Sequence, residues 1–575
     1  MSTTFTLDWI ASQLDGSSEN TSSSGPSTLS SQFGPLWPLV KAASILSDPI
    51  EAALLADVLS MDVTRLHPYL ADLELLGAVT VSTEHHYCIC PVIRPVAYAE
   101  ITSRQRKVLH LRAAEALISR KPTGGETAFR IAQHFEKAEH AQSAFDWWIN
   151  AAREAIEDAA PAFATQYLER ALSLSLASGS NIAAESKLVA LRLLGPLLAQ
   201  LKGSGSHDVA AVYAHCLEIA EGLPDSGSHI EFDILWGLNA CILVHGRIET
   251  AGELSQRLIH AARAADSDVQ LLLATRLRGL ARLLSGALAP ALGDFRDVKQ
   301  LCETTDYTPL RFSYASDQGA IARAHQAWAE AIAGELDASE TSHTEALEQA
   351  ERLEHPHTSA HVMCVLAARA QMLGLRSIAA PLANAARTVA RRHKFAYWEA
   401  WAEIILGWHG GARAVETSGA RIDRAILAYR ETGAGQVLPY AHHLRASVAL
   451  SAGDFATAIA AADAGLAFSD AYGVLLFKAP LLLDKAQATA CDAERQLLIS
   501  MAATVAGQQG AGLYEIRAAS MRINATACDT LALSSRPAWC QRRADALGKA
   551  FSAHAQKNRC VQNGVTGGEQ SNLVG

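Results

Sequence analysis

Residues 450–468 read LSAGDFATAIAAADAGLAF. A helix ends at Gly453, Asp454 opens the next one, and Ala458 follows five residues after the glycine, where two helices cross closely. Glycine permits a tight turn between helices, and alanine at the crossing lets two backbones approach. The same pairing recurs as Gly205/Ala210, Gly246/Ala251, Gly286/Ala291, Gly334/Ser339 and Gly374/Ala379, at steps of roughly forty residues. One step is double, and the unit expected around Gly411 to Ala425 is irregular. Glu139/Ala144 and Ala159/Ala164 keep the frame without glycine. A hairpin of two helices cannot bury its own apolar face, so repeats of this kind stack on one another. The reading is a mainly α chain built as a right-handed helical-hairpin solenoid.

Composition agrees. A chain of 575 residues is too long for one core, and 49% hydrophobic residues with only 6% aromatics point to alanine-rich, close-packed helices. In FDWWINAAREAI, residues 145–156, Trp147 and Trp148 sit side by side, about 100° apart on a helix. A solenoid helix packs on its own partner and on the next repeat, so it needs a wide apolar arc, and both tryptophans are expected in the core. A net charge of −10 supplies no global field for nucleic acid or anionic lipid, so neither nucleic acid nor membrane is an expected partner. No apolar run is long enough to span a membrane, and MSTTFTLDWIASQL lacks the pattern of a secretory signal. The ten cysteines are scattered singly, as in a reducing compartment. A cytoplasmic location is expected.

Ahead of the repeats the pattern changes. Residues 1–15 form a short amphipathic junction, and residues 16–34, GSSENTSSSGPSTLSSQFG, a serine-rich flexible linker. Over residues 35–98 three segments with helical spacing, PLWPLVKAASILS, IEAALLADVLS and DVTRLHPYLADLELLGA, precede AVTVSTEHHYCICP, which alternates as a two-stranded hairpin near residues 78–90. Three short helices and a hairpin make a winged-helix module. Helical repeats follow over residues 99–525, and residues 526–575 form a terminal helix and tail.

These segments resemble the C-terminal half of multidomain signalling ATPases of the STAND type. Those carry a P-loop module, a winged helix and a tetratricopeptide-like tail, often fused to class III nucleotide cyclases or LuxR-type regulators. TLDWIASQLD is similar to the segment that follows the ATPase module. CPVIRPVAYAEITSRQRKVLHLRAAEAL resembles the passage from winged helix to first repeat, with Arg94, Tyr98, Arg106, Leu109 and His110 in matching places. RIAQHFEKAEHAQSAFDWWINAAREA and YLERALSL match the opening repeats. YASDQGAIARAHQAWAEAIAGELDAS, KFAYWEAWAEIILGW, AYRETGAGQVLPY and QQGAGLYEIRAAS match later landmarks in order, from about Thr6 to about Ser520. The resemblance implies a winged helix that packs between modules rather than one that reads DNA.

The departures matter more for function. Nothing fits the phosphate-binding pattern GxxxxGK[ST]; Gly548 and Lys549 are followed by Ala550 without a glycine-rich loop, so no ATP site or other cofactor is expected. Gln13 stands where the family has arginine. The tail from Ser534 shows no helix-turn-helix pattern. The third helix of the winged module carries Arg65 against Asp62, Asp72 and Glu74, which disfavours phosphate contact. HHYCIC (His85, His86, Cys88, Cys90) alternates like a strand and lacks the spacing of a zinc site. HPHTSAH places His357 and His361 one helical turn apart, with His355 nearby, but has no glutamate between them; structural histidines are expected, and no metal.

The residues thus point to a non-enzymatic regulatory or scaffold protein in signal transduction, with a protein or peptide partner, a separate ATPase chain being one candidate. The alternative is a truncated or split remnant of an ATP-dependent cyclase or transcriptional regulator. In HKFAYWEAWAEIILGWHG, Phe395, Trp398 and Trp401 step by three and are expected in the core. Tyr397, Trp401 and Trp408 fall near one line of the helix and form the candidate wall of a partner groove.

Overall fold

The computed structural model describes residues 28–83, 85–120, 125–176, 181–223, 228–307, 314–410 and 415–526. The junction 1–15 with Gln13, Gly411, and the tail with Gly548, Lys549 and Ala550 lie outside the described residues. The chain divides between Ala190 and Leu191 into two compact units, so the first hairpins of the array expected over 99–525 belong with the N-terminal module.

The first unit opens with the helices Thr28–Phe33 and Trp37–Ser44, joined by a 3-10 turn over Gly34–Leu36. This corrects the end of the expected linker. Phe33 is buried and stacks on Trp37 at 5.7 Å between ring centroids, so apolar burial orders what the serine-rich composition suggested was loose. Strand β1 (Ile50–Glu51) follows, then the helices Ala52–Val58 and Val63–Leu75, then β2 (Val79–Thr83) and β3 (His86–Ile89). The hairpin is where alternation put it. The three strands form an antiparallel sheet in the order β1-β3-β2, with Ile50 opposite Tyr87 and Val79 opposite Ile89. β1 lies in a stretch read as helix, because its extended backbone is set by pairing with β3, where Ile50 meets Tyr87 and Glu51 meets His86, a partner remote in sequence that makes no local pattern.

Asp62 caps the helix Val63–Leu75 by accepting from the Thr64 amide at 2.8 Å. That helix buries Leu66, Leu70 and Leu73. Hairpins then begin with Ser103–Ser119, whose start is fixed by a reciprocal cap between Thr102 and Gln105. In the turns that keep the repeat frame without glycine, Glu139 and Ala159 adopt φ of 61° and 52°, a left-handed backbone that costs a non-glycine residue about 1–2 kcal/mol. Ala144 and Ala164, five residues on, are fully buried. Trp148 is buried, rings against Phe129 and Tyr167, and donates to Glu136 at 3.0 Å. Trp147 is only half-buried, so one tryptophan of the pair, not both, lies fully in the core.

The second unit continues in helical hairpins to the helix Gly512–Thr526. Gly246, Gly286, Gly334, Gly374 and Gly453 occupy its turns with φ between 73° and 90°, and Ala251, Ala291, Ser339, Ala379 and Ala458 are all fully buried at the crossings. The frame slips once. At the first turn it is Gly203, not Gly205, that takes the left-handed backbone, and Val209 rather than Ala210 that is buried.

This unit does not remain an open array. The Gly435 and Gln436 amides donate to the Val244 carbonyl, and the Leu476 amide donates to the Leu284 carbonyl. Gln200 reaches the Ala315 carbonyl and Tyr514 reaches the Met372 sulfur, across 115 and 142 residues of sequence. Gly205 and Gly433 approach so closely that a Cβ on Gly433 would lie 1.9 Å from the Gly205 oxygen. The space enclosed is filled by Trp328, which contacts Trp401, Tyr440 and Phe477 at centroid distances of 5.7–6.3 Å.

Candidate functional site

The helix Ala396–Gly410 has two working faces. Its aromatic side is core: Tyr397, Trp398, Trp401 and Trp408 are 2–6% exposed, and Phe395, just before it, 1%. Trp401 packs on Trp328, and Arg376 lies 4.3 Å over the Trp408 ring while donating to the His409 carbonyl. The wall expected from Tyr397, Trp401 and Trp408 is therefore corrected. The closure of the array covers that stripe with residues remote in sequence.

A groove does run along this helix, on the opposite face. Ala396, Glu399, Ala400, Glu403, Leu406 and Gly410 face the helix Val415–Glu431 and, from elsewhere in the unit, Leu201, Lys202 and Ser206 across an open volume of about 1130 Å³. Small residues leave the space: Ala400 from one helix, Ala425 and Ala428 from the other. The polar rim is organised by Glu403, which accepts from Arg391 at 3.0 Å, Arg387 at 3.3 Å and Arg421 at 2.5 Å. Burial pushes its carboxyl up, but hydrogen bonds and charge from Arg421 and Arg387 outweigh this and hold it below the ordinary range. Arg424 lines the same groove and is exposed.

The second unit also holds a separate, partly open cavity of about 90 Å³, walled by Tyr213, Trp236, Arg276, Tyr314, Gln318, His357, His361, Tyr397, Trp398 and Gln436 among others. His357 and His361 of HPHTSAH both reach it. The Trp398 indole, which can only donate, donates to His357 Nε2 at 2.9 Å, leaving His357 Nδ1 to carry the hydrogen toward Ser316 Oγ at 2.7 Å. Burial lowers His357 to about 3 and, one helix over, His325 to about 4. These rings are neutral near pH 7. His355 caps its helix, accepting from the Thr358 amide. Among the described residues no group of three or more histidine, cysteine or acidic side chains gathers as metal ligands.

Sequence reasoning missed Arg276. Its signal was present in LLLATRLRGLARLL, residues 271–284, where three arginines interrupt an apolar run. Arg278 and Arg282 both pair with buried Asp294 at 2.6 and 2.8 Å, whereas Arg276 points elsewhere.

In the first unit the residues that carried the resemblance come together. Arg106 lies 4.5 Å over the Tyr98 ring and donates to the Tyr98 and Ile101 carbonyls. The Tyr98 hydroxyl meets His110 Nε2 at 3.1 Å, and His110 Nδ1 meets His134 Nδ1 at 2.8 Å. Arg94 reaches the Ser44 carbonyl at 3.2 Å, and Leu109 is buried. The cluster fastens the strand module to the first repeat. Cys88 and Cys90 are both half-buried, on and just after β3.

Among the described residues no helix is long and apolar enough to cross a membrane. No family model matches the chain. An uncharacterized protein of Rhizobium meliloti (strain 1021) is 26% identical over 371 residues, which cover 60% of this chain and 34% of that protein; the match thus spans about a third of the relative's length. Solved structures with similar folds include a STAND signal-transduction ATPase with a tetratricopeptide repeat sensor from Pyrococcus horikoshii (11% identity, 73% of this chain and 68% of that one, TM-score 0.36). A Rap protein complexed with competence and sporulation factor is 11% identical over 66% of this chain and 98% of its own, with a TM-score of 0.43. Yeast Tom70 is 12% identical over 77% of this chain and 96% of its own, with a TM-score of 0.29.

Proposed function

We propose that this chain is a non-enzymatic regulatory or scaffold protein of cytoplasmic signal transduction, which holds a protein partner or peptide in a helical-repeat groove. The observation that carries this reading is the groove of about 1130 Å³ between the helices Ala396–Gly410 and Val415–Glu431. Its alanine floor and charged rim suit an extended or helical segment docked by shape and ion pairs. Tyr397, Trp401 and Trp408 enter this reading as the packed back of the groove helix. The N-terminal helices and sheet act as a winged-helix packing module, and a separate ATPase chain is a candidate partner.

Replacing Ala396 or Ala428, both exposed, with tryptophan fills the groove from its wall. The expected result is that a partner captured from the native host by the wild-type protein is lost from both variants, with the melting temperature held. Capture of the same partner by wild type and both variants rejects the groove. A second reading, resting on the sequence resemblance, is that the chain works together with a separate P-loop chain in ATP-dependent cyclase or transcriptional regulation. Reconstitution with a P-loop chain encoded beside it, with ATP hydrolysis as readout, separates the two.

A further inference from the structure

The smaller cavity differs from the groove in chemistry as well as place. Arg276 is 5% exposed and lines it. Its Nε is buried without a hydrogen-bond partner, and its guanidinium lies 5.6 Å from the Trp236 ring. No described carboxylate pairs with it: Asp294 is taken by Arg278 and Arg282, and Asp233, on the same helix as Trp236, is engaged by Arg192 and Tyr314. Burial lowers Arg276 to about 9, so it keeps its charge near pH 7. An unpaired buried charge is strongly unfavourable unless something completes it.

Two further polar atoms of the wall are incomplete. Gln318 Nε2 donates to the Tyr314 and Ser316 carbonyls, which fixes the amide orientation and leaves Oε1 buried without a donor. Gln436 Nε2 donates to the Tyr397 hydroxyl at 2.7 Å, and its Oε1 is likewise unsatisfied. The remaining wall is apolar and aromatic, with Leu277, Leu280, Ile321, Trp236 and Trp398. At about 90 Å³ the cavity is smaller than the roughly 150 Å³ that accepts benzene, so it suits an organic molecule of only a few carbon atoms.

We propose that this cavity binds a small organic carboxylate with an apolar body and at least one N–H or O–H donor, its carboxylate on the Arg276 guanidinium and its donors toward Gln318 Oε1 and Gln436 Oε1. A carboxylate meets guanidinium in a two-pronged, charge-assisted contact, and the aromatic wall takes the body. Inorganic phosphate would satisfy the charge but leave that wall empty. The site is independent of the partner groove.

The test is thermal denaturation and calorimetric titration of the full chain with lactate, 3-hydroxybutyrate and 2-hydroxyisovalerate, each beside its uncharged amide, and with inorganic phosphate. At least one carboxylate is expected to raise the melting temperature while its amide does not. Arg276→Met should abolish that shift, and Arg276→Lys, which keeps the charge but not the fork, should weaken binding about tenfold or more. If Arg276→Met fails to fold, the lysine variant carries the test alone. Absence of a shift from all three acids, a shift from phosphate alone, equal shifts from acids and amides, or unchanged affinity in the folded variants would each overturn the proposal.

Discussion

Mild acid should destabilise both units, and histidine burial sets the size of the effect. In the second unit His325 and His357 are lowered by burial to about 4 and about 3; in the first, His110 and His134 are each lowered to about 3. A histidine whose native value is depressed stays neutral in the fold while the unfolded chain, at the ordinary 6.5, takes up a proton. Its contribution is complete above pH 6.5 and is lost as the pH falls from there toward 3–4. The slope is about 1.4 kcal/mol per pH unit for each ring. In the second unit burial lowers His361 and, to about 4, His442 as well, so moving from pH 7.5 to 5.5 removes about 3 kcal/mol from the first unit and about 5 kcal/mol from the second, a large share of a typical 5–15 kcal/mol. Above pH 5 most carboxylates stay ionised and add little. Urea denaturation followed by circular dichroism at the two pH values reads the loss, and proton uptake on unfolding counts the rings. In His357→Gln the second unit should start less stable at pH 7.5 but lose less on acidification. Equal urea midpoints at pH 7.5 and 5.5, or an unchanged pH slope in that variant, would refute the assignment of neutral buried histidines.

Trp408→Ala should cost about 3–5 kcal/mol, seen as a large fall in melting temperature; a variant that melts like wild type would return this residue to a groove wall. Gly433→Ala adds a Cβ against the Gly205 carbonyl and strains a left-handed residue, and should cost about 2–5 kcal/mol in urea. Asp294→Asn leaves Arg278 and Arg282 without their buried counter-charge and should cost about 3–5 kcal/mol, with a loss under 1 kcal/mol counting against the pairing. Ala159→Gly relieves a left-handed alanine and should stabilise the first unit by about 1 kcal/mol; destabilisation would show that the turn is not strained as described.

The hairpin frame was legible because its determinants are local: a glycine that must adopt positive φ, and a small residue where helices cross, as at Gly453 and Ala458. The sheet hairpin was legible for the same reason, since alternation from Val79 to Ile89 announces it. β1 was not, because Ile50 and Glu51 are extended only through their partner strand. The groove helix was identified but its faces were exchanged. Tyr397, Trp401 and Trp408 look like anchors on an isolated helix, and only contacts from Trp328, Arg376 and Tyr429, each on another helix, turn them inward. The cavity escaped because Arg276 differs from Arg278 and Arg282 in lacking an acid, which sequence order does not reveal.

The return of the later hairpins onto the earlier ones changes how such a chain folds and fails. In an open repeat array each unit touches its neighbours alone, folding can begin anywhere, and the ends fray while the middle persists. Here Arg517 donates to the Met372 carbonyl across 145 residues, and Tyr514 seats its hydroxyl on the sulfur that Trp328 also contacts. Such non-local closure raises contact order and slows the final step of folding. Deleting the helix Gly512–Thr526 would thus not shorten the protein by one repeat; it would strip Met372, on which Trp328 rests, of its Tyr514 and Arg517 contacts and loosen hairpins near the middle of the chain.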